Sequence, residues 1–436
     1  MKNRAVITAT GVISPAGMNT DEFWNSCLQQ KDYICPIPEN WKHYSSFMSQ
    51  YWSPLDKYFP GSEWLLKMDL LQLDFCQLMV LDAAYQAITA SGISFSIVDS
   101  RKRIMRLECI NPERAGVFIG TGTGGITSLL SAHLSQLLST ADHLRLSSAN
   151  QDSSLKRYNP FTVPMMMVNG SADILGIRLS LHGMNRTVTA ACSSGTMAIG
   201  EAYRAVAEGR LDFALAGGVE YLHDPSGGIF RGFDIAGTLT RISDPVSCNC
   251  PFDQSRSGFL FCEGGCAILM IESLEHAVKR GAKIIAEIKA YQNAFEAYNL
   301  MMMDPAGLHI ENLLRSVVNQ SGLKVQEIDY INAHGTGTVL NDQIESDVID
   351  RVFGKEVPVN STKSITGHAL GASGALEAVV TALSVYYDRV HGSKNLRNPV
   401  RNLNFVKNTS THRVKNALTE SFAFGGHYAA LVLGKV

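Results

Sequence analysis

Arg186 to Gly200 read RTVTAACSSGTMAIG, and this stretch decides the architecture. Arg186–Ala191 is rich in β-branched residues and reads as a short strand. Small residues then follow one another from 193 to 208, where Gly209 supplies a stop signal, so that segment reads as a helix. Phe213–Ala216 is the next buried strand. Working outward, the same alternation continues in both directions, which is the pattern of an α/β protein. Upstream, Ala5–Thr10 and Ala115–Ile119 read as strands, and residues 65–91 carry an apolar stripe at helical spacing, closed by Gly92. Downstream, strand Cys266–Ile271 precedes helix Leu274–Arg280. Strand Ile284–Ala290 then opens a second α/β half with helices at 307–321, 342–353 and 371–388 and strands at 328–333, 357–360 and Ala429–Leu433. The division expected is 1–275 and 276–436, two similar halves in one body rather than two tethered domains. Residues 33–64, rich in Trp, Tyr, Phe and Pro, read as an irregular lid or dimer-contact segment.

Composition narrows the function. The chain has 436 residues, 45% hydrophobic and 18% charged, enough apolar surface to rule out wholesale disorder. Lys plus Arg is 38 against 40 for Asp plus Glu, and this balance argues against a nucleic-acid partner. The apolar stretch near the N-terminus is broken by Thr8 and Thr10, so it reads as a first strand, not a secretory signal. No apolar run reaches the roughly 18 residues of a membrane span. An odd set of nine cysteines suits a reducing, cytoplasmic compartment. Cys248 with Cys250, and Cys262 with Cys266, lack the two-residue spacer of a metal site, so no metal is expected.

Gly120, Gly122 and Gly125 spell the GxGxxG of a dinucleotide-binding turn. The expected second strand with its acid is missing, since the following region reads STADHLRLSSAN. The glycines are therefore expected to let a turn pass close to another backbone.

Cys192 sits where the strand turns into the helix. There, unpaired N–H groups and the helix dipole favour a thiolate, and the same N–H groups can hold an oxyanion. In YINAHGTGT (330–338) and STKSITGHALGASGALE (361–377), His334 and His368 each follow a strand and enter a glycine-bounded loop. Strand ends of this kind are where reactive groups gather in α/β sheets.

TAACSSGTMAIG (189–200), INAHGTGT (331–338), KSITGHALGASGALEA (363–378) and FAFGGHYAALVL (422–433) resemble, in order and spacing, the four signature stretches of elongating β-ketoacyl-acyl-carrier-protein synthases with a Cys-His-His triad. The similarity runs from AVITATGVISPAG through PFDQSRSGFLFCEGG to the last strand. It implies the thiolase fold, two related α/β halves in five layers. It implies that Cys192 takes an acyl chain as a thioester, with the N–H groups of Cys192 and Phe424 as oxyanion hole. His334 and His368, uncharged, would stabilise the enolate left by decarboxylation of a malonyl group, extending the chain by two carbons. Lys363 matches the family's active-site lysine. Glu345 is expected to pair with it and Asp342 to brace the His334 loop. Thr336 and Thr338 match pantetheine-binding positions, Phe424 the gate of the acyl pocket, and Asn332 with Glu377 a monovalent-cation site of some members. No cofactor is implied beyond substrates carried on the phosphopantetheine of an acyl carrier protein. The expected assembly is a homodimer, or a heterodimer with a related subunit.

Four positions depart from the family pattern: Ala423 for Gly, Glu420 for Asn, Tyr428 for Asn and Cys262 for Gly. They suggest a divergent member, in fatty-acid or polyketide and polyene synthesis. Three rival readings carry weaker support. A non-catalytic chain-length subunit would lack the cysteine. A degradative thiolase needs a second cysteine near the C-terminus, and none follows Cys266. A hydrolase using Cys192, His334 and Asn332 leaves His368 unexplained.

Overall fold

The computed structural model describes residues 3–146 and 159–436. Ten strands form one mixed sheet. The first half supplies β1 (Ala5–Ile13), β2 (Ala115–Gly120), β3 (Asn185–Val188), β4 (Phe213–Tyr221) and β5 (Gly264–Ser273). The second half supplies β6 (Ala286–Phe295), β7 (Tyr330–Asn332), β8 (Val359–Asn360), β9 (Asn416–Ala423) and β10 (His427–Gly434). Their spatial order is β3-β2-β4-β5-β1-β6-β10-β9-β7-β8. Read from the centre outward, each half runs first, fifth, fourth, second, third. The fold is thus the same topology used twice, joined where β1 pairs antiparallel with β6.

Two helices occupy the middle. α2 (Ser194–Ala207) and α5 (Ser373–Tyr387) are almost wholly buried, and each touches strands of both halves. α1 (Phe75–Ser91) covers β1, β4 and β5 from outside, while α3 (Leu308–Gln320) covers β6 and β10 with α4 (Val339–Phe353) beside it. This gives five layers, α-β-α-β-α, as the resemblance implies. α1 begins with a capping box in which Asp74 accepts from Cys76 N–H, and it ends at Gly92 in the left-handed region. Small residues let α2 and α5 meet closely. A Cβ on Gly195 would sit 2.9 Å from Ala375 N, and one on Gly374 2.0 Å from Thr196 Oγ1.

The structure corrects several sequence boundaries. β9 was not expected at all, because NALTESFA is polar at positions that are nevertheless buried. α4 starts three residues earlier than expected and β7 is shorter. The glycine-rich turn after β2 leads into a helix, Ile126–Leu146, which covers part of the stretch read as STADHLRLSSAN; residues 147–150 of that stretch lie outside the described residues. A Cβ on Gly120 would collide with the Ser194 backbone, 2.2 Å away, so this glycine does let the strand end pass close to another backbone. The N–H groups of Gly122 and Thr123 donate to the buried Glu220 carboxylate (2.8 and 3.1 Å), so a side chain of this protein fills the turn's anion-binding concavity. Segment 33–64 is pinned to the body by a few buried side chains, while most of its residues stay exposed or half-buried. Trp41 and Trp52 are buried, with ring centroids 4.8 Å apart, and Trp41 lies 5.6 Å from Phe230. Among the described residues one helical stretch, 370–387, is long and apolar enough to cross a membrane; it includes α5 and is 89% buried.

Candidate active site

The two central helices begin alike. Ala191 (φ 46°) and Leu370 (φ 43°) each adopt left-handed backbone, each opens a single 3-10 turn, and each turn runs straight into α2 or α5. Non-glycine residues pay strain for that conformation, which persists only where the surroundings hold it. In the first half the residue after the strained one is Cys192; in the second it is Gly371. The turn carrying Cys192 is bolted to the opposite half. Ser193 Oγ donates to the carbonyls of Ser421 (3.2 Å) and His427 (2.6 Å), the two arms of the β9–β10 hairpin. This sets Phe424, at the hairpin tip, so that its N–H and that of Cys192 both face the sulfur. Two N–H groups beside one sulfur favour its thiolate, and they could also hold an oxyanion formed there.

His368 Nε2 lies 3.0 Å from Cys192 Sγ. Its Nδ1 lies 2.9 Å from Ser373 Oγ, in the first turn of α5. A hydroxyl can accept from Nδ1–H or donate to a bare Nδ1, so Ser373 supports either tautomer. The His334 ring stands nearly perpendicular to that of His368, 5.6 Å between centroids. Phe422 closes one side of His334 (5.8 Å) and Phe259 one side of His368 (5.0 Å).

His334 is fixed from behind. Its N–H donates to Glu345 Oε1 (2.6 Å) and that of Gly335 to Oε2 (2.8 Å). The N–H groups of Thr336 and Gly337 donate to Asp342. Asp342 and Glu345 are three residues apart on α4, so one helix face grips four consecutive amides. Gly335 and Gly337 have φ of 38° and 86°, and this backbone would strain any side chain. Asn341 Nδ2 donates to both acids (3.1 and 2.9 Å). Lys363 Nζ donates to His334 O (2.8 Å) and lies 3.1 Å from His334 Nδ1. An ammonium can only donate, so it leaves the ring proton on Nε2.

Lys363 does not pair with Glu345, as the resemblance implied. Its ion-pair partner is Glu377, on α5. Glu345 is already engaged by two main-chain N–H groups and Asn341, whereas Glu377 points directly at the ammonium. Asn332 and Glu377 do meet, but Asn332 Nδ2 donates to the Glu377 main-chain carbonyl (3.2 Å) and to Thr381 Oγ1 (3.2 Å). The cation beside the Glu377 carboxylate is Lys363. Asn332 is bound to α5 and does not line the cavity that holds Cys192 and His334, so the hydrolase reading loses its third member.

Burial and Lys363 together hold both imidazoles well below their usual pKa, with His368 lowering His334 further, so both rings are neutral. Cys192 differs from expectation. Its two facing N–H groups and Lys363 favour the thiolate, but burial outweighs them and Glu220 adds to it, pushing the thiol up to about 12. At rest Cys192 is therefore a thiol, and His368 Nε2, 3.0 Å from its sulfur, is in place to take the proton. Burial also pushes Glu345 and Glu377 up to about 7 each.

One cavity of about 260 Å³ joins these groups. Cys192, His334 and His368 line its floor, and Thr336, Thr338 and Phe424 its wall. Thr336 Oγ1 and Thr338 Oγ1 are 2.9 Å apart, two hydroxyls along the entrance. Met301, Met302 and Met303 line it as well, a run whose side chains carry no motif signal in the sequence. Ser193 and Ser373 were also missed as functional positions, although both lie one residue from a signature residue or within a signature stretch. Asn341 could have been found, since it falls four residues before Glu345 on one helix face. The departures do not disturb this arrangement. Ala423 ends β9 in extended backbone, and the left-handed positions fall instead on Gly425 and Gly426 (φ 80° and 77°). Cys262 Sγ donates to Gly264 O (3.2 Å) as a buried thiol.

Comparison with known proteins agrees with the geometry. Residues 2–277 match the family "Beta-ketoacyl synthase, N-terminal domain", and residues 285–397 match "Beta-ketoacyl synthase, C-terminal domain". The 3-oxoacyl-[acyl-carrier-protein] synthase 2 of Synechocystis sp. is 34% identical over 442 residues, covering 100% of this chain and 98% of that protein. Its namesake from Coxiella burnetii is 32% identical, covering 100% and 99%. Among solved structures, the ishigamide ketosynthase/chain length factor superimposes with a TM-score of 0.84 at 26% identity, and a β-ketoacyl synthase from Burkholderia phymatum STM815 with 0.83 at 26%; both comparisons cover 100% of each chain. A type II PKS acyl-carrier protein complexed with its ketosynthase, AntDE:AntF, gives 0.82 at 25%, again over 100% of each chain. With its double topology, the two strained turns, or elbows, that open α2 and α5, and these relatives, the chain belongs to the β-ketoacyl synthase family.

Proposed function

We propose that this chain is an elongating β-ketoacyl-acyl-carrier-protein synthase working through Cys192, His334 and His368. The observation that carries the reading is the Cys192 sulfur 3.0 Å from His368 Nε2, with a second neutral imidazole beside it in one cavity. In the first half-reaction the Cys192 thiol attacks an acyl thioester while its proton passes to His368 Nε2. The oxyanion forms against the N–H groups of Cys192 and Phe424. The carrier's thiolate leaves and recovers the proton. Splitting transfer through a covalent thioester replaces one hard step by two easier ones.

In the second half-reaction a malonyl thioester places its carbonyl oxygen between His334 Nε2–H and His368 Nε2, the His368 ring having exchanged to its Nε2–H tautomer, which Ser373 Oγ supports by donating to the bare Nδ1. Carbon dioxide leaves, and the electron pair of the broken bond enters the enolate, whose oxygen both N–H groups stabilise. The enolate carbon attacks the acyl-Cys192 carbonyl, and Cys192 leaves as a thiolate that takes a proton from solvent. Neutral rings are essential here, since each must offer an N–H without repelling or losing its proton.

Thr336 and Thr338 would hydrogen-bond the phosphopantetheine arm of an acyl carrier protein. The solved ketosynthase–carrier complex supports that partner. The enzyme would work in the cytoplasm as a homodimer or with a related subunit, and nine free thiols support that compartment. The assay is incubation with a panel of acyl-carriers and malonyl-carrier, read by intact mass. We expect an acyl adduct on the chain and a product two carbons longer. The adduct should vanish in Cys192→Ala; an adduct that persists there refutes the assignment. His334→Ala and His368→Ala should retain some acylation while losing condensation, with acylation slower in His368→Ala, which lacks the ring that takes the thiol proton.

A further inference from the structure

Glu420 lies in β9 with its side chain fully buried, at 0% exposure. Neither of its carboxyl oxygens has a donor among the described residues. The group it meets is a second carboxyl, Glu345, which faces it across the site. Glu345 spends its oxygens on the N–H groups of His334 and Gly335 and on Asn341. Two ionised carboxylates cannot share such a place, because burial and mutual repulsion both oppose the second charge. One proton between them turns the repulsion into a hydrogen bond.

We infer that Glu420 is a neutral carboxylic acid that donates its proton to Glu345, and that it is a positioning residue for His334. Glu345, accepting already from two main-chain N–H groups, is the partner that stays ionised. Glu420 supplies it with one more donor and anchors it to the sheet. From α4 come Glu345 and Asp342, with Arg256 at 3.6 Å from Asp342. From α5 comes Glu377, and ahead of it Lys363, already bound to Glu377. The loop after β7 gives His334, which is neutral. The β10 residue opposite Glu420 is Ala430, without charge. One ammonium thus serves three glutamates, and burial together with Glu345 pushes Glu420 well up from its ordinary value.

Loss of the shared proton sets two anions against each other directly behind the His334 amide. Glu345 would be driven from that amide, and the His334 ring would lose its register against Lys363 and the cavity. The enolate-forming step should therefore fail on the alkaline side, while acylation of Cys192, which does not use His334, should not.

The test has two arms on the intact chain. The first is infrared difference spectroscopy of the wild type against Glu420→Gln near neutral pH, with glutamate carboxyls labelled by carbon-13. A label-shifted carboxylic-acid C=O band in the wild type, absent from the variant, supports the inference. Superimposable spectra overturn it. So does the absence of any glutamic-acid band in the wild type, a result that needs no variant to fold. The second arm rests on the function proposed above: the pH profile of malonyl-carrier decarboxylation. Wild type should lose about tenfold per pH unit beyond the pair's apparent pKa, and Glu420→Gln, whose amide donates at every pH, should lack that limb. An alkaline limb shared by both proteins overturns the positioning role. Because the infrared arm needs no turnover, failure of the inference and failure of the condensation reading are distinguishable.

Discussion

Lys363→Met isolates what the buried ammonium does. The Lys363–Glu377 pair is 2% and 1% exposed, so removing the cation leaves a carboxylate inside the protein with no counter-charge. Breaking a buried pair from one side costs about 3–5 kcal/mol. For 436 residues the unfolding entropy is roughly 0.9 kcal/mol/K at the usual per-residue value, so Tm should fall by about 3–6 °C. Glu377, already raised to about 7 with Lys363 present, should rise further. A raised carboxyl binds its proton more tightly folded than unfolded. The variant should therefore lose stability as pH rises from the ordinary carboxylate range toward the raised value, by about 1.4 kcal/mol per pH unit.

Lys363→Met with Glu377→Gln removes both charges and should recover most of the lost stability, since replacing a whole buried pair is often neutral. It should not recover condensation. Lys363 Nζ, 3.1 Å from His334 Nδ1, keeps the ring proton on the nitrogen facing the substrate. Without it condensation should fall about 10²–10³-fold, the usual loss for one oriented donor. Acylation of Cys192 should fall by much less, since Lys363 only lowers a thiol that burial already holds up and His368 Nε2 still takes its proton. The measurements are thermal denaturation at two pH values, intact-mass acylation and condensation turnover, arranged as a double-mutant cycle. A double variant as unstable as the single one refutes the ion-pair account. A double variant that condenses normally refutes the role of Lys363 in fixing the tautomer.

Two further outcomes follow from the same geometry. Gly374→Ala places a Cβ 2.0 Å from Thr196 Oγ1 and 2.9 Å from Ser421 Oγ, so overpacking should cost about 1–3 kcal/mol by denaturation, and Thr196→Ala should restore part of it. His391 lies outside the cavity, 3.1 Å from Thr362 Oγ1, and burial lowers it from 6.5 to about 4. Below pH 6.5 the unfolded chain takes the proton and the folded chain does not, so stability is full above that pH and is lost as pH falls toward 4. His391→Asn should flatten the acid limb of stability against pH by about 1.4 kcal/mol per unit, and an unchanged slope would contradict the buried neutral ring.

The strand–cysteine–helix unit and the two glycine-bounded histidine loops were legible because local chemistry dictates them: β-branched runs, small-residue helices, glycine stops. β9 was not legible, since Thr419, Glu420 and Ser421 break any apolar alternation and are buried for the site's sake. The partner of Lys363 was not legible either. Glu345 and Glu377 both lie near it in sequence, and only the path of α5 and the prior claim of the His334 loop on Glu345 decide between them. The expectation of a resting thiolate failed for a related reason. Helix polarity is written in the sequence around Cys192, but the depth at which the sulfur sits is set by strands 228 and 234 residues on from Ser193, and Glu220 raises the thiol further.

The duplicated elbow has a mechanical consequence. Cys192 and His368 come from different halves, and what sets them 3.0 Å apart is the tight contact of two small-residue helices at the molecule's midplane. No surface loop sits between the reacting atoms to absorb an error. The reactive spacing is therefore as stiff as the interior itself, and a disturbance that loosens the midplane should silence turnover before any global melting begins.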